Sequence, residues 1–350
     1  MDVFICAALS FIISVLLIPL IIKFCNKHAL YDSTNERKIH SGNVPRLGGV
    51  GIVTAFFISS CLYIAFYKPE LFLKFLPMIV AGLVIFAFGL IDDIVDLGGV
   101  AKFLIQTVAA FVLIFNDYRF TNILGIENNI FNIIVTYCWI IGMVNAYNLI
   151  DGHDALCGGL SFFVIITYGF FEFSTNKSLS SLSFILAASI LGFLVYNKPK
   201  AKIFMGDGGS QFLGFILAVF PLYNTTSGYE SSKIFLITLL NMIPLLDVVA
   251  AMWRRTREHY SFFTADKSHI HHKLMNLGYG PWGIITLLYG LQIFLCLDAV
   301  ISNHIGGNSG YLIMSLGYIV IIAFFCIIHY TNRAVIQKHL KEKDKEKKDE

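Results

Sequence analysis

Asp92 and Asp93 close an apolar run in the stretch GLIDDIVDLGG. Two adjacent carboxylates directly after FAFGLI repel each other, so a cation partner is expected, and Lys102 or a metal could supply it. Asp92 and Asp96 stand four positions apart and would share a helix face, with Asp93 pointing elsewhere. In NAYNLIDGHDALCGG, the residues Asn145, Asn148, Asp151 and Asp154 recur every three positions, and Gly152 is expected to break the helix between the last two. Carboxylate and amide oxygens on consecutive turns suit a hard divalent ion. Mg2+ commonly takes one or two protein oxygens and completes its shell with substrate phosphates and water. His153, between the acids, reads as incidental.

Two further stretches carry phosphate-handling chemistry. In KPKAKIFMGDGGSQFLG, Asp207 is flanked by Gly206, Gly208 and Gly209, which would let backbone approach a ligand and leave a helix amino terminus near an anion. The upstream Lys198, Lys200 and Lys202 read equally well as simple positive charge at a membrane face. The loop WRRTREHYSFFTADKSHIHHKLMNLG holds His269, His271 and His272 within four positions, after Arg254, Arg255 and Arg257. The adjacency of His271 and His272 is poor geometry for two ligands of one tetrahedral zinc, and no cysteine accompanies them. Hydrogen bonding to phosphates is the better use.

The elements that must position these groups are membrane helices. The chain has 350 residues, 56% hydrophobic and only 14% charged, too little polar surface to cover a soluble fold. A hydrocarbon core about 30 Å thick needs roughly 20 apolar residues as a helix. Eleven apolar segments fit: 3–22, 48–66, 71–91, 100–115, 130–150, 156–173, 180–196, 208–223, 233–252, 281–301 and 310–328. The fourth is short. The first lacks a basic leader and a small-residue cleavage site, so it reads as a retained span.

Lysine and arginine set the orientation, because cytoplasmic loops keep positive charge. Of the 26 basic residues, 21 fall on alternate loops and the tail. An odd number of spans, with the amino terminus outside and the carboxyl tail in the cytosol, follows from that bias. Asp92, Asp93, Asp96, Asp151, Asp154 and Asp207 then all lie at span ends on the basic side. Lys102 and the histidines share that side, so polar chemistry converges on one face of the membrane. Charges in such places are functional candidates by default.

Residues 1–330 are expected to form one integral-membrane catalytic domain, and the mixed-charge tail, 331–350, to be disordered. Seven scattered cysteines without close spacing read as free thiols. No internal repeat, P-loop or GxGxxG is found.

The four motifs, in this order, resemble the polyprenyl-phosphate N-acetylhexosamine-1-phosphate transferase family, and most of all its undecaprenyl-phosphate GlcNAc-1-phosphate transferases. The resemblance runs from KIHSGNVPRLGG, residues 38–49, to His272. It matches the family's aspartate pair to Asp92 and Asp93, its AKFLIQ lysine to Lys102, its second motif to Asn145, Asn148, Asp151 and Asp154, and its M-G-D motif to Asp207. HIHH resembles the GlcNAc-1-phosphate type, whereas the peptidoglycan enzymes carry three contiguous histidines. Ala155 stands where the family usually has Gly, and Phe262 where Pro is common.

The resemblance implies an all-α enzyme with about eleven spans in the bacterial plasma membrane and its site on the cytosolic face. A lipid monophosphate, undecaprenyl phosphate, would attack the sugar-bearing phosphorus of a UDP-sugar and release UMP. The partners implied are these two substrates and the bilayer, with no nucleic acid, and a homodimer is compatible. Mg2+, with Mn2+ as an alternative, would be held by Asp207 and Asn148. Asp92, Asp93, Lys102, Asp151, Asp154, His271 and His272 would carry the catalysis. Asn145, His269, Arg254 and Arg255 would bind substrate. Two polyanions must meet, and one pair of unit charges at 4 Å repels by about 4 kcal/mol at an effective dielectric near 20. Neutralisation is therefore what catalysis chiefly requires. Asp92 is the family's proposed base. A phosphomonoester's second pKa is about 6, so positioning Lys102 and a hydrated metal matters at least as much for Asp92 and Asp93. UDP-MurNAc-pentapeptide or another UDP-hexosamine is an alternative donor. A transporter would carry its binding groups near the bilayer midplane, often between inverted repeats. Asp247 and Asp298, the exceptions to the span-end pattern, make no midplane pair.

Overall fold

The computed structural model describes residues 2–31, 44–95, 97–223, 232–259 and 268–349. Asp96, Phe262 and the first residues of the KIHSGNVPRLGG stretch lie outside the described residues. Among those described, the chain is helical throughout, with no β-strand. Seven helices are long and apolar enough to cross a bilayer, or eight if one bent pair counts as a single span. The molecule is an all-helical, polytopic membrane protein.

The spans are α1 (Asp2–His28), α2 (Gly48–Tyr67), α3 (Phe72–Val95), α5 (Asn129–Ile150), α7 (Lys177–Asn197), α12 (Pro281–Ile305) and the first part of α13 (Gly307–Asp349). Three of the eleven expected segments form shorter helices: α4 (Gly99–Phe115), α6 (Leu156–Phe171) and α8 (Gly206–Val219). A fourth is broken into α9 (Ser232–Leu240) and α10 (Met242–Arg257), which meet at a bend of 78°. A break inside an apolar environment frees backbone carbonyls, which must find donors within the protein. Gln292 of α12 meets this one, donating Nε2–H to the Leu240 carbonyl at 2.9 Å. Helix α11 (Ile270–Asn276) is short.

The chain divides into two compact units, Met1–Ile237 and Thr238–Glu350. Helix α13 continues through the charged run expected to be disordered. That run is rich in Lys and Glu, both good helix formers, and Lys338 lies 3.9 Å from Glu342 one turn on. All seven cysteines are free.

In the first unit α8 is the central helix, buried from Gly208 to Val219. Lipid tails are as apolar as leucine, so helices in a bilayer associate through close van der Waals contact and hydrogen bonds, which favours small residues. Two glycine pairs make the contacts: a methyl group on Gly209 would collide with Gly49 of α2, and one on Gly89 of α3 would collide with Gly208. One turn further in, Phe212 packs against Phe56, Phe57 and Phe86. Trp139 of α5 donates its indole N–H to the Ala218 carbonyl at 3.1 Å. These contacts fix the start of α8, where Asp207 sits.

Candidate active site

The turn before Asp207 is held by the segment around Pro45. Phe204 N–H donates to the Pro45 carbonyl (2.7 Å), Gly48 N–H to Phe204 (2.9 Å) and Gly49 N–H to Met205 (2.8 Å). The VPRLGG stretch thereby clamps the IFMGD turn from the side. Gly206 has φ +78°, and a side chain there would strike the Arg46 carbonyl and the Asp93 carboxylate.

Asp93 does not point away from the site. Its Oδ1 accepts the Asp207 N–H at 2.9 Å and its Oδ2 the Gly208 N–H at 3.1 Å. The amino terminus of α8, expected to face an anionic ligand, is therefore capped from within by a carboxylate of α3. The flanking glycines serve this approach and the helix packing rather than a ligand.

Asp92, one residue earlier, faces the charged centre. Its Oδ1 accepts the Leu97 N–H at 2.6 Å, and its Oδ2 lies 2.5 Å from Lys102 Nζ. Lys102, in the first turn of α4, also reaches Asp207 Oδ2 at 2.8 Å. The two carboxylates come within hydrogen-bonding reach of each other, with the ammonium between them offsetting their repulsion. The cation partner expected for the aspartate pair is thus Lys102.

Asn148, in the last turn of α5, donates Nδ2–H to Ser210 Oγ at 3.1 Å and hydrogen-bonds the Asp207 carboxylate. Ser210 in turn donates to the Gly206 carbonyl at 3.0 Å. Helix α5 stops at Ile150, as Gly152 led one to expect, and Asp151 is its half-buried carboxyl cap. Asp154 is buried, and its Oδ2 accepts the Lys200 and Ala201 N–H groups at 3.0 and 3.1 Å. It ties the loop after α7 to the loop after α5. His153 Nδ1 contacts the Asp154 carbonyl at 2.9 Å. Ala155 sits at φ 59°, the left-handed region.

One turn below the charged groups lies a layer that joins Asn145, a motif residue expected to bind substrate, to two glutamines that the motifs did not mark. Asn145 Nδ2 donates to Gln106 Oε1 at 2.8 Å, and Gln106 Nε2 donates to Gln211 Oε1 at 3.2 Å. The only signal in the sequence was the presence of amides four residues after Lys102 and Asp207, inside otherwise apolar helices. Ser210 was likewise missed.

The donor set suits Mg2+. Asp92, Asp207 and Lys102 together carry one net negative charge, and every available ligand atom is a hard oxygen. Among the described residues Asn148 donates through its amide nitrogen to Ser210 and to the Asp207 carboxylate, which leaves its amide oxygen as a hard donor suited to a cation. Among the described residues no group of three or more His, Cys, Asp or Glu forms a ready-made metal cage. A cation held by one or two carboxylates needs none.

In the second unit, Asp247 of α10 organises the histidine motif. Its Oδ2 lies 2.8 Å from His269 Nδ1, and its Oδ1 accepts the Ile270 N–H at 2.8 Å. Sequence reasoning left Asp247 without a role. His271 is buried, with its ring parallel to that of His269 at 6.0 Å, and the half-buried His272 ring lies 4.2 Å from His271. Arg255 is buried two turns after Asp247, Arg254 is half-buried, and the exposed Arg257 reaches Glu258 at 3.0 Å.

Comparison with known proteins now decides the kinship. The family described as glycosyl transferase family 4 matches residues 75–225, the stretch that supplies Asp92, Lys102, Asn148 and Asp207. A Bacillus subtilis protein named as a probable undecaprenyl-phosphate N-acetylglucosaminyl 1-phosphate transferase is 30% identical over 311 residues, 83% of this chain and 84% of its own. The chain belongs to glycosyl transferase family 4. Within that family, a Mycobacterium tuberculosis decaprenyl-phosphate N-acetylglucosaminephosphotransferase is 31% identical over 77% of this chain and 75% of its own. An Escherichia coli undecaprenyl-phosphate alpha-N-acetylglucosaminyl 1-phosphate transferase is 30% identical over 81% and 79%.

Proposed function

We propose that the protein transfers N-acetylglucosamine 1-phosphate from UDP-N-acetylglucosamine to undecaprenyl phosphate, giving the lipid diphosphate sugar and UMP. The observation that carries this reading is Lys102 held between Asp92 and Asp207, in a family member whose relatives named above act on polyprenyl phosphates. An oxygen of the lipid phosphate bonds to the sugar-bearing phosphorus while the bond to the bridging oxygen breaks, and UMP leaves with the charge.

What the protein must supply in such a reaction is charge stabilisation and positioning. Lys102 presents an ammonium to the diphosphate, and Asp92 holds that ammonium at the end of α3. Asp93 keeps the first turn of α8 in place. Asp154 and Asp151 fix the loop that follows α5, and Asn145 supports Asn148 on the same helix. Asp207 and the Asn148 oxygen would hold Mg2+, which when bound would neutralise phosphate charge. His269, His271, His272, Arg254 and Arg255 are assigned to the nucleotide's phosphates.

The acceptor arrives through the bilayer and the nucleotide from the cytosol. An external amino terminus with the charged centre at the cytosolic face of a bacterial plasma membrane meets that need, and 21 basic residues on one side support it. Helices α4, α6 and α8 would complete eleven crossings.

The test is UMP release by the purified protein with undecaprenyl phosphate and a panel of UDP-sugars. UDP-N-acetylglucosamine should be the best donor, ahead of UDP-MurNAc-pentapeptide. EDTA should stop the reaction, and Mg2+ should restore it. No UMP from any donor would sink the reading, and full turnover in EDTA would remove the metal.

A further inference from the structure

Helices α4, α5 and α8 each carry two polar side chains one turn apart where they converge. The pairs are Lys102 and Gln106, Asn148 and Asn145, and Asp207 and Gln211. The first member of each pair belongs to the charged centre. Among the described residues the second members bond to neutral groups, in the chain Asn145 to Gln106 to Gln211. Helices α4 and α8 begin at the charged centre and run inward, whereas α5 runs outward to it. The amide layer therefore lies one turn deeper, about 5.4 Å along each helix.

Gln106 and Gln211 are 3% and 4% exposed, so these two amides are sealed in the bundle, and Asn145 is half-buried beside them. Asn145 spends its second N–H on its own helix, donating to the Ile141 carbonyl at 2.8 Å, which fixes the amide's orientation. Gln106 alone touches both neighbours, accepting from α5 and donating to α8. An amide is suited to this place because it donates and accepts without charge. A carboxylate there would compete for Lys102, and an ammonium would compete for Asp207. Because Gln106 lies on the same face of α4 as Lys102, a rotation of α4 that broke its bonds would also carry Lys102 off Asp207.

We propose that Gln106 is a positioning residue: by bridging Asn145 and Gln211 it fixes the register of α4, α5 and α8, and so the meeting of Lys102, Asn148 and Asp207. The inference rests on the reading of those three as the phosphate-handling centre. Gln106 itself touches no reacting atom.

The experiment uses the full-length protein in detergent, comparing wild type, Gln106→Met, Gln211→Met, the double variant and Asp207→Ala. Four quantities are read: UMP release, the KM for UDP-N-acetylglucosamine, thermal midpoint, and Mn2+ affinity by electron paramagnetic resonance. A misplacement of the charged groups should lower kcat by about ten- to a hundredfold in Gln106→Met at temperatures where the protein stays folded, although the two stranded amide groups lower its thermal midpoint. Mn2+ should bind several-fold more weakly. The double variant should be no slower than the slower single one, because either change already breaks the chain. Wild-type kcat and Mn2+ affinity in Gln106→Met overturn the proposal, as do independent, multiplying losses in the double variant. If Gln106→Met does not fold, Gln211→Met, which removes the bond between α4 and α8 without introducing a charge, is read by the same criteria. If wild type releases no UMP, the functional reading fails, and Mn2+ affinity alone then decides the role of Gln106.

Discussion

Lys102 and Asp207 lie 105 residues apart in the chain and 2.8 Å apart in the fold. Asp92 completes the contact from the other side. A lysine in the first turn of one helix thus meets an aspartate in the first turn of another, and both helix starts are held by further hydrogen bonds. The arrangement puts a single ammonium where two carboxylates would otherwise repel, and it yields specific expectations.

Replacing Lys102 with Ala should leave a folded protein with little turnover. Removal of one preorganised charge of this kind costs about a hundredfold or more in kcat. Lys102→Arg should recover only part of it, because a planar guanidinium cannot occupy the point between Asp92 Oδ2 and Asp207 Oδ2 as an ammonium does. Steady-state UMP release, normalised to monodisperse protein, measures both. Wild-type kcat in Lys102→Ala would exclude a role for this charge.

Asp93 should behave differently from Asp92. Its carboxylate accepts two backbone N–H groups of α8, so Asp93→Ala removes a cap and leaves both donors buried. A loss of about 1–2 kcal/mol in stability is expected, visible as a lower thermal midpoint alongside lost activity. Asp92→Asn should keep the wild-type midpoint while losing turnover. Equal midpoints for Asp93→Ala and wild type would contradict the capping role.

Ala155 offers a gain. Its φ of 59° costs an L-residue about 1–2 kcal/mol, which glycine avoids. Part of that gain is offset by the greater freedom of glycine in the unfolded chain, about 0.4–1 kcal/mol. Ala155→Gly should raise stability by a net of about 0.5 kcal/mol without changing kcat. A lowered thermal midpoint would show that the strain is already relieved.

The orientation can be read by chemical labelling. Lys198 is exposed in the loop after α7, which Asp154 holds through the Lys200 and Ala201 amides. With the native cysteines replaced, Lys198→Cys should resist a membrane-impermeant thiol reagent in intact cells and react after permeabilisation. Labelling in intact cells would place this loop outside and remove the cytosolic site.

Much of the site was legible before folding was considered. The aspartate pair, Lys102, the asparagine series and Asp207 stand out because charge and amide are scarce in a chain that is 56% hydrophobic. Their partners were less visible. Asp247 reads as an isolated acid until the fold brings His269 and the Ile270 amide to it. Gln106 and Gln211 are neutral and isolated in sequence, so nothing local marks them as partners.

The sequence by itself determined that this is a helical membrane protein with several apolar spans, and which polar groups stand at the ends of its apolar stretches. It did so because apolar length and the placement of lysine and arginine are properties of single segments. The tertiary structure decided which polar group faces which. Asp92 turns to Lys102 and the adjacent Asp93 to the start of α8, and that difference arises from the close approach of α3 and α8 through Gly89 and Gly208. It also decided where helices end or break, as at Asn241. There the outcome depends on donors such as Gln292, brought in from another helix.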